Sequence, residues 1–259
     1  MFITGATGFL GTHVIAPSET AEWELLTPTS RALDIRERGR VMDDIVTWKP
    51  KAVLHLAYRR DDRRTIVDGS RNVAEAAAAA GARLVHVSTD VVFAGRSLPY
   101  TEADTPDATL DYGRWKAEAE AAVMEACPGA VIVRSSLLYG GDHLALCQRD
   151  VLDVLARRAH MSFFTDEFRN ATHAADMATA LVALADRPDV TGPLHVAAPH
   201  AVSRAELANA FARRYGGPGA TVPTTTLAAS GLQRAGRLVL DVSRAESLGL
   251  TCRDLHAAL

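Results

Sequence analysis

Phe2-Ile-Thr-Gly-Ala-Thr-Gly-Phe-Leu-Gly-Thr12 decides the fold. Phe2, Ile3 and Thr4 are apolar or β-branched and run into Gly5, Gly8 and Gly11, and the apolar-periodic Phe9, Leu10, Val14 and Ile15 follow. That order spells strand, glycine turn, helix. Gly5 permits a tight turn, Gly8 lets a pyrophosphate approach bare backbone, and Gly11 lets the helix lie close to its strand. The helix N-terminus then offers unpaired N–H groups and about half a positive charge to the phosphates. A glycine trio alone also fits an ordinary strand-to-helix turn, so what lies downstream has to decide. The strand is short for its kind: either it is abbreviated or the chain starts late in it.

Outward from this turn, strands and helices alternate, which predicts a parallel sheet with helices on both faces, an α/β Rossmann-type doubly wound fold. Trp23–Thr27, Lys51–Ala57, Ala82–Ser88 and Ala130–Arg134 read as strands; Arg36–Trp48, Thr65–Ala80 and Asp111–Cys127 read as helices. Gly81 closes the alanine-rich helix as a C-terminal glycine does. After Gly140-Gly141 the rhythm changes. Helices are expected over 144–159, 174–185 and 203–215, with Ser203 and Glu206 as a capping box, and strands around 161–164 and 194–198. Residues 1–140 are therefore expected to form the dinucleotide-binding domain. Residues 141–259 are expected to form a smaller α/β substrate lobe, some segments of which return to the main domain.

The chain has 259 residues, 48% of them apolar, which is enough for a sizeable core, and a net charge of -3, which argues against a general nucleic-acid or membrane-surface role. Its three cysteines, Cys127, Cys147 and Cys252, are far apart and show no metal-binding spacing, as expected of buried thiols in a reducing compartment. No long apolar span or signal-peptide pattern is present, so a cytoplasmic protein is expected.

The chemistry-bearing residues cluster after the strand that ends at Ser88. Ser88-Thr-Asp-Val-Val-Phe93 places hydroxyls outside the carboxyl end of a strand, where open α/β sheets bind ligands. Tyr112-Gly-Arg-Trp-Lys116 then opens a helix, with Tyr112 and Lys116 four apart on one face. Reduction of a ketone needs an acid for the emerging alkoxide. A free tyrosine, with a pKa of about 10, is a poor one at neutral pH, and a nearby lysine ammonium is expected to lower that value. Thr89 can hydrogen-bond the same carbonyl oxygen.

Taken together, the Gly5/Gly8/Gly11 turn, Leu33-Asp-Ile35, His55-Leu-Ala57, Ser88-Thr-Asp90, Tyr112/Lys116, Arg134-Ser-Ser136 with Tyr139-Gly140, and residues 166–176 resemble an extended short-chain dehydrogenase/reductase. Within that family they resemble the dTDP-4-dehydrorhamnose reductase branch, the nucleotide-sugar 4-ketoreductases. The resemblance implies Thr89 as the hydroxyl that polarises the carbonyl, Tyr112 as the acid, and Lys116 as the residue that also binds the nicotinamide ribose. It implies a cofactor lined by Gly5, Thr7, Gly8, Phe9, Leu10 and Gly11 on the turn, flanked by Asp34 and Ile35 at the adenine, and bordered by Leu56, Ala57 and Tyr58. Two positions depart from the pattern: Ile66 stands where the family often has asparagine, and Leu137 where the rhamnose-pathway enzymes usually carry tryptophan.

No acid ends the second strand until Asp34, whereas Ser30 and Arg31 would suit a 2′-phosphate, so NADP(H) is expected over NAD(H). Substrate contacts are expected from Asp90, Val91 and Leu137, and from the cations Arg59 and Arg169. Tyr58-Arg-Arg-Asp-Asp-Arg-Arg64 reads either as a self-paired solvated loop or as a grip on a phosphate. His55, His86, His173 and His195 read as core or surface residues, and no metal is needed. The expected function is NADPH-dependent reduction of a nucleotide-linked 4-keto-6-deoxy sugar. Alternatives are reduction of another small or phosphorylated ketone, a sugar-nucleotide epimerase or dehydratase, and a non-catalytic cofactor-binding regulatory subunit. The partner is a small keto compound rather than nucleic acid or membrane, and a homodimer remains open.

Overall fold

The glycine turn joins β1 (Phe2–Thr4) to α1 (Phe9–Thr20), and the alternation continues through α2 (Arg38–Trp48), β2 (Ala52–His55), α3 (Gly69–Ala79), β3 (Arg83–Thr89), α4 (Asp111–Ala126) and β4 (Val131–Ser135). Beyond β4 come α5 (Leu146–Leu155), α6 (Ala174–Ala185), β5 (Gly192–His195) and α7 (Arg204–Gly216), with two-residue strands between and after them. The computed structural model describes residues 1–141 and 143–259. Its main sheet has five strands, all parallel, in the order β1-β2-β3-β4-β5. β1, β2 and β4 are buried along their whole length, which is why they read as unbroken apolar or β-branched runs rather than alternating ones. The helices cover both faces. Val14 of α1 and Met177 and Leu181 of α6 pack on one; Val41 and Ile45 of α2, Val73 of α3 and Val123 of α4 pack on the other. Each such side chain, fully buried, contributes about 1.5–3 kcal/mol.

Trp23–Thr27 is not the full strand its sequence suggested. Only Leu26 bridges to Phe2, through Ile3 N–H to the Leu26 carbonyl at 2.9 Å and Leu26 N–H to the Met1 carbonyl at 3.0 Å. β1 offers just three residues to pair with, and Pro28, which has no N–H, ends the ladder. Even so, the Leu26 segment lies on one side of β1 and β2 on the other. The strand order therefore reverses at β1, and a crevice opens outside the carboxyl ends of β1 and β2.

The expected strand at 194–198 runs instead over Gly192–His195 and adds to the main sheet beside β4, while α6 packs against α1. Several C-terminal segments build a small core around Tyr139, Val151, Phe163 and Phe211, while Ala245, Leu250 and Cys252 return to the core under the main sheet. The capping box of α7 is present: Glu206 N–H donates to Ser203 Oγ at 3.0 Å, and Ser203 N–H to Glu206 Oε2 at 2.6 Å. The alanine-rich helix begins with a π-helical turn at Arg64–Asp68, and Gly81 ends it at φ +65°. Among the described residues no helix is long and apolar enough to cross a membrane.

Candidate active site

The glycine turn has the shape its spacing implied. Gly5 sits at φ +77°, and a Cβ there would come within 2.7 Å of the Ala57 amide nitrogen, so the turn lies directly against the end of β2. A Cβ on Gly11 would overlap the Gly5 carbonyl oxygen and the Ala6 backbone. Gly8 differs: its Cβ would meet only the Gly5 oxygen, at 3.3 Å, and the residue is exposed. Gly8 is also the N-cap of α1, with no side-chain cap and no acid in the first turn. The first-turn amides thus have no side-chain acceptor, and no carboxylate repels an anion there. This cradle of bare backbone fits a dinucleotide pyrophosphate. Thr7 is exposed beside it, and Phe9 and Leu10 are half-buried.

At the end of β3, Thr89 caps a short 3₁₀ turn over Asp90–Val92. Its hydroxyl accepts from Val91 N–H and donates to Asp90 Oδ1, both at 3.3 Å, distances too long to hold the group tightly. Asp90 is buried, and protein partners take both its oxygens: Arg169 donates to Oδ1 at 3.0 Å and Ser136 Oγ to Oδ2 at 2.7 Å. Asp90 therefore anchors the turn and is no open substrate ligand. Arg169 is likewise spoken for, since it also lies 3.5 Å from Glu167. Gly113 brings α4 against this turn, because any Cβ there would overlap the Val91 carbonyl. Tyr112, next to Gly113, is thereby brought near enough to Asp90 for its charge to act on the phenol. Leu137 is half-buried and packs on the small core together with Phe9.

Lys116 is buried, and its ammonium donates to the Val87 carbonyl at 2.7 Å. Burial pulls its pKa from 10.5 to about 8, against the pull of Glu120. The expectation that Lys116 draws the Tyr112 pKa down is not met. Burial pushes the phenol well above its usual value, Tyr58 and Asp90 add to the rise, and Arg60 supplies the opposing cation. The Arg60 guanidinium lies over the Tyr112 ring, 5.3 Å from its centroid, and the Tyr58 ring is 6.1 Å away. The reason is orientation: Lys116, one turn further in, directs its charge at the β3 backbone.

At the far end of the crevice, Asp34 is gripped by Arg36, at 2.6 Å between Nη2 and Oδ2, which pulls its carboxyl down to about 2, with Arg59 adding a weaker pull. Arg36 reaches on to Asp62 at 3.1 Å. Ile35 is buried against Gly69, and its carbonyl accepts from Asn72 at 2.9 Å. Ser30 and Arg31 are exposed. Leu56 and Ala57 are half-buried where β2 ends, beside the exposed Tyr58.

One functional neighbourhood escaped the sequence reading. Glu120, one turn beyond Lys116, accepts a hydrogen bond from Ser88 Oγ at 2.5 Å and a bidentate pair from the buried Arg134, 2.8 Å at its closest. The signal was available, since Tyr112, Lys116 and Glu120 repeat every four residues along one helix face. Deeper still, His55 is neutral. Ser70 Oγ donates to the Ile66 carbonyl at 2.6 Å and so accepts from His55 Nε2 at 3.0 Å, leaving Nδ1 to accept from Thr4 Oγ1 at 2.6 Å. Burial first, and Lys116 second, hold its pKa at about 3.

The family model described as "RmlD substrate binding domain" matches residues 1–259. A bovine (Bos taurus) protein named methionine adenosyltransferase 2 subunit beta is 31% identical over 277 residues, covering 96% of this chain and 82% of its own. A Mycobacterium tuberculosis dTDP-4-dehydrorhamnose reductase is 32% identical over 222 residues, covering 79% of this chain and 71% of its own. The crystal structure of dTDP-4-dehydrorhamnose reductase from Bacillus anthracis in complex with NADP superposes with a TM-score of 0.88 at 25% identity, covering 99% of this chain and 95% of that one. With its Rossmann-type sheet, its glycine cradle and a family match along its whole length, the chain belongs to the RmlD substrate binding domain family, the dTDP-4-dehydrorhamnose reductase-like group of the extended short-chain dehydrogenase/reductases.

Proposed function

We propose that the protein is an NADPH-dependent reductase of a ketone, in the first instance a nucleotide-linked 4-keto-6-deoxy sugar. What supports this reading is that Gly113 packs α4, which carries Tyr112 and Lys116, against the turn that Thr89 caps, and that the bare-backbone cradle of Gly5–Gly11 belongs to the same fold. The cradle and the α1 N-terminus would hold the pyrophosphate, Asp34 and Ile35 would flank the adenosine end, and Lys116 would meet the nicotinamide ribose. NADPH, when bound, supplies the hydride for the carbonyl carbon. Thr89 directs its loosely held hydroxyl at the carbonyl oxygen, and Tyr112 transfers its phenolic proton to that oxygen, so the product is an alcohol. Tyr112 is protonated at neutral pH, the form that reduction requires, while its raised pKa makes the phenol a weaker acid than a free tyrosine. Lys116, with a pKa of about 8, stays cationic at neutral pH. Ser30 and Arg31 support the choice of NADPH, because an arginine beside a hydroxyl suits a 2′-phosphate.

The test is NADPH oxidation, followed at the nicotinamide absorbance band, against nucleotide-linked and free keto compounds. Tyr112→Phe should keep NADPH binding and lose turnover by about two to four orders of magnitude. Undiminished turnover in that variant would refute the mechanism. A second reading, a cofactor-binding regulatory subunit, is favoured by one observation: similarity to a protein named as a subunit. It predicts stoichiometric NADPH binding with no oxidation by any ketone. The full set of Thr89, Tyr112 and Lys116 favours the enzyme.

A further inference from the structure

The loop Tyr58–Arg64 follows β2 with four arginines and two aspartates. The fold divides them by partner. Arg63 pairs with Glu118, Arg64 lies 4.0 Å from Asp68, and Asp62 is held by Arg36 and by Thr65. That half of the loop is satisfied by partners outside it, which tie it to the start of the long helix. Among the described residues neither Arg59 nor Arg60 forms an ion pair, and exposed Asp61 forms none either. Arg59 acts on Asp34 at the adenosine end, whereas Arg60 lies over Tyr112.

Three cations border the reacting end of the crevice, and they differ in what charge they have to give. Lys116 is buried under the Val87 carbonyl with Glu120 behind it. Arg169 faces two buried carboxylates, Asp90 and Glu167. Arg60 carries a charge that no carboxylate neutralises, and the ring beneath it fixes its place without consuming its N–H donors.

We propose that Arg60 is a specificity-determining residue that receives a phosphate group carried by the keto substrate. This rests on the reductase reading and names the substrate class as phosphate-bearing. The planar guanidinium matches phosphate oxygens with paired donors, and the aromatic platform pre-orders it at small entropic cost. A phosphate seated there places its substrate against Tyr112, the acid, while the paired Arg63 and Arg64 hold the loop. Arg60 touches substrate and positions it; it donates no proton to the reaction.

The experiment is calorimetric titration of the NADPH-saturated protein with dTDP, with dihydroxyacetone phosphate, and with thymidine as the uncharged control. Wild type should bind one of the two phosphates. Arg60→Ala should weaken that binding about tenfold or more, Arg60→Lys should recover part of it, and thymidine should respond to neither change. Which phosphate binds distinguishes a nucleotide-linked substrate from a free phosphorylated ketone. The assignment is overturned if Arg60→Ala binds the phosphate as tightly as wild type, if thymidine affinity falls in parallel, or if wild type binds neither phosphate. Arg60 is exposed, so unchanged thermal melting of both variants verifies that they fold. If dTDP binds through Arg60 and yet wild type oxidises no NADPH with any ketone, the reductase reading fails, and Arg60 is a phosphate site without a keto substrate.

Discussion

Helix α4 carries two clusters of polar side chains two turns apart, and they are built in opposite ways. At its inner part Glu120 is closed on all sides by Arg134 and Ser88. Arg134 in turn lies over Phe93, 5.1 Å from the ring centroid. At its first turn Tyr112 has a half-buried phenol and a cation stacked on its ring, while Thr89 across the turn makes only long hydrogen bonds. A buried polar group with every partner in place is rigid and does nothing more; one left loosely partnered at a crevice is available for a ligand. The pairing at Glu120 thus holds the helix so that Tyr112 stays open in a fixed place.

The largest effect is expected at the closed cluster around Glu120. Glu120→Gln or Arg134→Met, which leaves the partner charge buried and alone, should cost about 3–5 kcal/mol in urea unfolding, while the double variant recovers much of the loss. Equal additive losses would mean that the two residues do not act as a pair. Lys116, buried between the two clusters, is probed by pH. Lys116 titrates near 8 when folded and near 10.5 when free, so the unfolded chain binds the extra proton between those values, and stability rises with pH across that window. The burial cost of the ammonium is complete below pH 8 and gone above 10.5. Relative to Lys116→Met, the cofactor-free protein should gain about 3 kcal/mol between those two pH values, read from paired unfolding curves. A parallel pair of curves would place the lysine in contact with water. The cradle gives the smallest stability effect and the clearest contrast. Gly11→Ala, whose Cβ would overlap the Gly5 carbonyl, should cost about 2 kcal/mol in thermal unfolding. Gly8→Ala should leave the melt nearly unchanged and weaken NADPH binding instead, since its Cβ would meet only the Gly5 oxygen and would add bulk to the exposed cradle. Equal melting temperatures for the two variants would undo the distinction.

Much of this was legible in the sequence, and the residues explain why. The Gly5/Gly8/Gly11 spacing, the buried strand runs, the Ser203–Glu206 box and the Tyr112/Lys116 pair are all local: their partners lie within one turn or one strand of themselves. Misreadings arose where the partner is remote. The strand at Trp23–Thr27 depended on how much of β1 was there to pair with, and Asp90 read as a substrate ligand because Ser136 and Arg169, 46 and 79 residues away, could not be seen to occupy it. Lys116 read as the cation of Tyr112 because helix spacing gives a shared face and not a direction.

The sequence by itself determined the alternating fold, the glycine cradle and the residue types at the candidate site, because periodicity and glycine conformation are properties of short stretches. Only the tertiary structure decided which charges are spent and which remain. Of the cations at the reacting end, burial and long-range pairing neutralise or enclose Lys116 and Arg169 and leave Arg60 available. Coulomb energies depend on distance and burial in three dimensions, and no spacing along the chain encodes either.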